Sequence, residues 1–234
     1  MKYTSVIPAQ FISRPNRFIA HVSVEGKEEI VHVKNTGRCK ELLIPGVTVY
    51  LEEGQNPQRK TKYDLVAVEK IGFGLINIDS QAPNRVVSEW LQSQNYSLIK
   101  PEYTFGESRI DFYMERDNTK YLMEVKGCTL EIDGIGYFPD APTQRGVKHL
   151  RELIKAQQLG YVCSIAFVVQ MEHIQEVKPN ISTDPEFARA FYDAQKAGVS
   201  VLFLCCKVTP ESLKITRSIT SRSFQQSMTF QYVR

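Results

Sequence analysis

The chain has 234 residues, 42% of them hydrophobic and 24% charged, with a formal net charge of +3. These values exclude extended disorder and leave room for one large domain or two modest ones, and the small positive excess is compatible with a local basic patch without identifying one. No segment approaches the roughly 20 apolar residues of a membrane-spanning helix, and the opening MKYTSVIPAQF lacks a signal-peptide core, so the sequence reads as that of a cytoplasmic protein with no membrane partner.

From residue 9 to about 79 the pattern is short β-type runs broken by turn residues: QFISRPNRFIAHVSV, EIVHV, VTVYLEE, KYDLVAVEKI and GLINID. Five strands without a long helix predict a small barrel. Between the second and third runs, KNTGRCKELLIPG supplies a Gly turn, a short apolar segment and a Pro-Gly stop. The boundary falls at SQAPNR, which divides the chain into domains 1–83 and 84–234. Beyond it the order becomes a helix (84–95), strands near 98–105, 108–115 and 120–128, and a loop rich in Gly, Pro and Asp from Glu131 to Pro142. A helix from Thr143 to Gly160, the strand VCSIAFVVQM, a helix opening at TDPEFA and the strand VSVLFLCCKV follow. That alternation predicts an α/β domain with a mixed sheet covered by helices. Residues 208–234 carry the weakest pattern. The cysteines, Cys39, Cys128, Cys163, Cys205 and Cys206, are odd in number and form no C-x-x-C pair, which argues for buried reduced thiols over disulfides or a zinc knuckle.

One hairpin, SRIDFYMERDNTKYLMEVKGC, carries charge where a strand pair should bury side chains. Asp117-Asn118 suits the positive backbone angles of a two-residue type I′ turn. Counting back from that turn sets Asp111 opposite Glu124, with β-carbons about 5 Å apart, and puts Lys126 on the face of Glu124. Facing carboxylates repel, and a divalent cation is the simplest remedy. Magnesium takes few carboxylates plus water and phosphate oxygens, and manganese accepts the same oxygen ligands. Lys126 could then steady developing negative charge or help orient an attacking water, a set of groups suited to phosphodiester hydrolysis. The alternative is a solvated sheet face with an exposed ion pair. Glu89, on the helix that opens the domain, is a third candidate carboxylate or a solvent-facing charge. In the helix after the hairpin, Val147, Leu150 and Ile154 mark a buried stripe, while Gln144, Lys148, Arg151 and Lys155 form a basic one that either faces phosphates or is solvated. His149 is read as a packing or hydrogen-bonding histidine without a catalytic role.

The strings RPNRF, NTGR, ELLIPG, RKTKYDL, SRIDF, EVKGCTL, FPDAPTQRGVKHL and DPEFA resemble the sugar fermentation stimulation protein A family, from residue 14 to residue 188. The resemblance implies an α+β two-domain fold: an N-terminal OB-fold β-barrel and a C-terminal α/β domain of the PD-(D/E)XK nuclease-like kind. It also implies DNA binding, to single-stranded or structured DNA, and a regulatory link to sugar (maltose) metabolism. On the nuclease pattern Glu89, Asp111, Glu124 and Lys126 take the catalytic positions, with Asp111 and Glu124 as ligands of Mg or Mn. RIDF lacks the proline of the superfamily's Pro-Asp and keeps only the acid, and Cys39 stands where Met is expected after NTGR. For the barrel the expected nucleic-acid contacts are Arg14, Arg17, Lys34, Arg38, Lys40, Arg59, Lys60 and Lys62, with Phe18, Tyr50 and Tyr63 interleaved. For the second domain they are Gln144, Arg145 and Lys148. OB-folds accept either nucleic acid, which leaves RNA as a competing ligand. A non-catalytic regulator that uses a nuclease fold as its platform is the alternative activity.

Overall fold

The computed structural model describes residues 1–35, 37–56 and 58–221. The first domain consists of β1 (Val6–Ser13), β2 (Ile19–Val24), β3 (Lys27–Val33), β4 (Thr48–Glu53), β5 (Tyr63–Lys70) and β6 (Gly74–Asn77). The strand order is β3-β2-β1-β4-β5-β6, and a parallel pairing of β3 with β5 at His32↔Asp64 and Val33↔Leu65 closes the first five strands into a barrel. The expected first strand is in fact two. Pro15 has no N–H to give a ladder, and the Asn16 side-chain oxygen accepts the N–H groups of Phe18 (2.9 Å) and Ile19 (3.1 Å), which turns the chain between β1 and β2. Ala20, Val22, Val31, Val33, Val49, Leu51 and Leu65 fill the barrel, and Leu42 and Leu43 from the segment between β3 and β4 join that core.

The second domain begins with α1 (Ala82–Leu91), which starts two residues earlier than the sequence pattern suggests because Pro83 fits a first helical turn. Then come β7 (Leu98–Phe105), β8 (Ser108–Arg116), β9 (Thr119–Cys128), β10 (Leu130–Ile132), β11 (Ile135–Phe138), α2 (Gln144–Gln158), β12 (Val162–Val169), β13 (Val177–Pro179), α3 (Pro185–Lys196), β14 (Ser200–Thr209) and β15 (Ser212–Thr220). The main sheet runs β15-β14-β12-β9-β8-β7, with β12 parallel to both β9 and β14, so it is mixed as expected. Strand alternation divides its core in two: Leu122, Ile165, Phe167 and Phe203 pack with α2 and α3, whereas Phe112, Met123, Val125, Val168 and Leu204 pack with Val86, Val87 and Leu91 of α1. Thr143 caps α2 by accepting the Gly146 N–H (3.0 Å), and Asp184 caps α3 by accepting that of Phe187 (2.9 Å).

Three departures stand out. The expected 131–142 loop contains β10 and β11, a hairpin turned by Asp133-Gly134, both at positive φ, and β11 pairs with β13 in a separate three-stranded sheet. The weakly patterned C-terminal region supplies an edge strand, β15, and its residues 222–234 lie outside the described residues. Residues 1–3, counted with the barrel by sequence, cross to the second domain: Lys2 bridges Ser212, the Tyr3 N–H donates to Glu211 O (2.8 Å), and the Met1 and Tyr3 side chains are buried with α1. These apolar side chains extend the core on the α1 side of the sheet, which is the physical reason for the crossing.

Buried hydrogen bonds join the domains. The Gln170 amide donates to Asn77 Oδ1 (2.9 Å) and to Asp79 O (3.1 Å), Asn77 donates to the Tyr3 hydroxyl (2.8 Å), and that hydroxyl donates to Asp79 Oδ2 (3.2 Å). No helix among the described residues is long and apolar enough to cross a membrane.

Candidate active site and nucleic-acid interface

The hairpin of β8 and β9 turns at Asp117 and Asn118 with φ of 50° and 61°, the type I′ geometry expected of that pair. Its register follows the count from Arg116↔Thr119 to Phe112↔Met123 and stops one pair short of Asp111 and Glu124. There the Asp111 carboxylate replaces the ladder: Oδ2 accepts the Val125 N–H at 2.7 Å, and Oδ1 accepts the side-chain amide of Asn84 from α1, also at 2.7 Å. Asp111 and Glu124 still sense one another. Burial, and then the charge of Glu124, push the Asp111 carboxyl above its ordinary value, partly offset by the Val125 N–H, Lys126 and Asn84.

Glu124 is 1% exposed. Its Oε1 receives both the Lys126 ammonium and His149 Nδ1, while Oε2 is buried with no hydrogen-bond partner. Burial alone would raise this carboxyl, but the Lys126 charge and His149 together hold it below the usual glutamate value. Arg145 donates its Nε–H to His149 Nε2 (3.4 Å). Because a guanidinium cannot accept, Nε2 is the acceptor and Nδ1 carries the proton given to Glu124. His149 is therefore the hydrogen-bonding histidine the sequence suggests, but its partner is the central carboxylate. The i, i+4 spacing of Arg145 and His149 was the available signal, and their partner 25 positions from His149 was not visible in it.

Glu89 does not join these groups. Its Oε2 accepts from the Met1 ammonium at 2.7 Å, and its side chain is largely exposed. The residue of α1 that reaches Asp111 is Asn84, on a different face of the helix. Among the described residues no group of three or more His, Cys, Asp and Glu is arranged to hold an ion. Of the candidate acids, Asp111 and Glu124 Oε2 are the two groups that could serve a cation here. An unsatisfied buried oxygen, on a carboxylate whose charge acts on Asp111, would fit a hard divalent ion that draws its other ligands from water or phosphate.

Among the described residues, the expected cations of the first domain sort into a groove set, an ion-paired set and Lys60, which belongs to neither. Arg14, Arg17, Arg38 and Lys40 line one groove of about 430 Å³ with Asn16, Phe11, Leu43 and Pro45. Arg14 is its framework: Nη1 donates to Gly37 O and Arg38 O (both 2.9 Å), and Nη2 donates to Arg17 O (2.7 Å) and Asn35 O (2.6 Å). Arg17, Arg38 and Lys40 are exposed on its rim and in no ion pair among the described residues, and Arg17 lies over the exposed Phe18 ring (5.2 Å). By contrast, Lys34 and Arg59 converge on the buried Asp64, Lys34 at 2.9 Å, and Lys62 pairs with Glu53 at 3.4 Å. Lys60 is exposed and outside the groove. On α2, Gln144, Arg145, Lys148, Arg151 and Lys155 are all exposed, but Lys148 pairs with Glu107 (3.5 Å), Arg151 with Glu186 (2.8 Å) and Lys155 with Glu152 (2.7 Å). That stripe is largely neutralised.

Residues 12–78 match the family model described as the SfsA N-terminal OB domain, and residues 81–212 match the sugar fermentation stimulation protein RE domain. A sugar fermentation stimulation protein homolog of Desulfitobacterium hafniense (strain Y51) is 54% identical, covering 94% of this chain and 97% of its own. One from Clostridium beijerinckii is 49% identical, covering 92% of this chain and 96% of its own. The solved structure of Pyrococcus furiosus SfsA in complex with Ca2+ superposes with a TM-score of 0.78 at 29% identity, covering 94% of this chain and 95% of that one. This chain belongs to the sugar fermentation stimulation protein family.

Proposed function

We propose that the chain binds DNA through the groove of its OB domain and hydrolyses phosphodiester bonds at a divalent-metal centre on β8 and β9. The observation that carries this reading is Glu124: one oxygen is held by Lys126 and His149, the other is buried and unpartnered, and the charge of this carboxylate raises the Asp111 carboxyl. A lone buried acceptor costs about 1–3 kcal/mol, more when charged, so a fold that keeps one has a reason to do so. The Ca2+ of the Pyrococcus furiosus relative supports an oxygen-ligated cation in this family.

A divalent ion held by Asp111 and Glu124 Oε2 would polarise a phosphate oxygen and make a bound water more acidic. The chain's own groups do the rest. The Asn84 amide and Val125 N–H fix the Asp111 carboxylate in one orientation. Lys126, anchored on Glu124, retains N–H donors to place against charge that develops on phosphate. At the groove, the exposed cations take phosphates and the exposed Phe18 ring beside Arg17 takes a base, the division of labour of single-strand binders.

The test is cleavage of labelled single-stranded, duplex and branched DNA, and of matched RNA, with magnesium or manganese. Wild type should cut, and both Asp111→Asn and Lys126→Ala should abolish cutting. Equal cutting by the variants removes these residues from the active site. The alternative reading, a non-catalytic DNA-binding regulator, is favoured by the ion pair that already engages Lys126. It predicts binding without cleavage of any substrate, unchanged in both variants.

A further inference from the structure

Resting on the metal-centre reading above, we propose that His149 is a positioning residue: with Lys126 it reserves Oε1 of Glu124, leaving Oε2 as the ligand oxygen, so that the centre takes a single divalent cation. Glu124 could in principle present either oxygen, or bridge two ions with both. His149 and Lys126 remove that freedom by loading donors onto Oε1 alone. The histidine is fixed in turn. It is 4% exposed on α2, and its second ring nitrogen is committed to the Arg145 guanidinium. Both ring nitrogens are therefore engaged, so the imidazole is not itself a ligand. It acts through Glu124, as an outer hydrogen-bond partner sets the orientation and basicity of a ligand it touches.

The count of one ion follows from the same inventory. A two-metal centre sets its ions about 3.5–4 Å apart and shares carboxylates between them, which takes more free oxygens than one from Glu124 and the already hydrogen-bonded pair of Asp111. Both Asp111 oxygens accept a protein hydrogen bond, from Asn84 and from Val125. Glu89, the other candidate acid, is held by the Met1 ammonium. Among the described residues no further His, Cys, Asp or Glu completes a cluster there.

Mn2+ binding to the full chain, followed by calorimetry and by the EPR signal of the free ion, tests this without recourse to activity. Wild type should bind one Mn2+ per chain. His149→Leu should bind roughly 10–100-fold more weakly, and His149→Asn, whose amide N–H lies near the position of Nδ1, should recover most of the loss. Should H149L fail to fold, the comparison passes to His149→Gln, whose donor sits at the Nε2 position and should not rescue. Two ions per chain, H149L binding as tightly as wild type, or H149N binding as weakly as H149L each overturn the proposal. If His149 variants bind normally while Asp111→Asn binds nothing, the metal centre stands and only the role of His149 falls. If wild type binds no Mn2+, both fall together.

Discussion

Gly37 of the barrel and Asp140 of the second domain lie so close that a β-carbon on Gly37 would overlap the Asp140 carboxylate and crowd Asn35 Oδ1 at 2.8 Å. The contact joins the NTGR loop, which forms one wall of the basic groove, to the FPDAPTQRG segment that leads into α2 and the Arg145, His149, Glu124 chain. Gly37 has no positive φ, so its requirement is space alone. Gly37→Ala should therefore destabilise by about 1–3 kcal/mol as an overpacked site does. For a chain of this size that is a fall in melting temperature of roughly 2–4 °C per kcal/mol, readable by scanning calorimetry. An unchanged melting temperature would mean that the Asp140 carboxylate swings aside at no cost.

Cations free on the groove rim and cations bound to Asp64 should behave differently towards nucleic acid. Arg38→Ala and Lys40→Ala should each weaken binding of a single-stranded oligonucleotide and flatten the dependence of log affinity on log salt by about 0.7, the value for one lost phosphate contact on a single strand. Arg59→Ala should leave that slope unchanged, because its guanidinium is already engaged by Asp64. Fluorescence anisotropy across a salt series separates the two. A slope change in R59A equal to that in R38A would refute the sorting.

Much of this arrangement was legible in the chain, and the parts that were not share a cause. The type I′ turn at Asp117-Asn118 and the strand alternation behind it are local, so the approach of Asp111 to Glu124 could be counted out. The break in the ladder at Asp111 could not, because it depends on Asn84 arriving from another element. His149 meets Glu124 only once α2 packs on the sheet, and Asp64 disarms Lys34 and Arg59 only once β3 closes on β5. Composition showed where the cations are along the chain, whereas the fold decided which of them keep their charge for a ligand. The Asp133-Gly134 turn was a readable hairpin signal, obscured by the three- and four-residue length of β10 and β11.

Asp64 should set the acid limit of the barrel. Burial works against its ionised form, yet Arg59, Lys34 and His32 outweigh it and hold the carboxyl below its ordinary value of 3.8. A carboxyl depressed in the folded state adds stability that is fully present above the unfolded pKa and disappears as pH falls through the folded one. The contribution is therefore constant at neutral pH and lost below pH 3.8. Asp64→Ala should cost on the order of 2–3 kcal/mol at pH 7, less than for a fully buried pair because Lys34 and Arg59 can turn to water, and should flatten the acid limb of a stability profile. Denaturant titrations between pH 3 and pH 7 measure both. A variant whose loss grows as pH falls would have the wrong sign.

Asp111 carries the opposite sign, which yields the sharpest test of the centre. Its carboxyl is raised by burial and by Glu124, so the ionised form present at neutral pH destabilises the metal-free fold, a cost relieved only as pH falls towards 3.8. Without divalent ions Asp111→Asn should therefore melt above wild type at pH 7, with its Oδ1 accepting the Val125 N–H and Asn84 turning its amide so that the Asn84 Oδ1 accepts the new N–H. An ion that binds only the folded state at about 100 times its dissociation constant adds about 2.7 kcal/mol. At roughly 2–4 °C per kcal/mol, manganese should raise the wild-type melting temperature by about 5–10 °C and cancel or invert the order of the two proteins. Glu89→Gln should keep the full manganese shift, because Glu89 is spent on the Met1 ammonium and not on the centre. Differential scanning fluorimetry with and without chelator measures all three proteins. A manganese shift of equal size in D111N would place the ion elsewhere, and its loss in E89Q would return Glu89 to the ligand set.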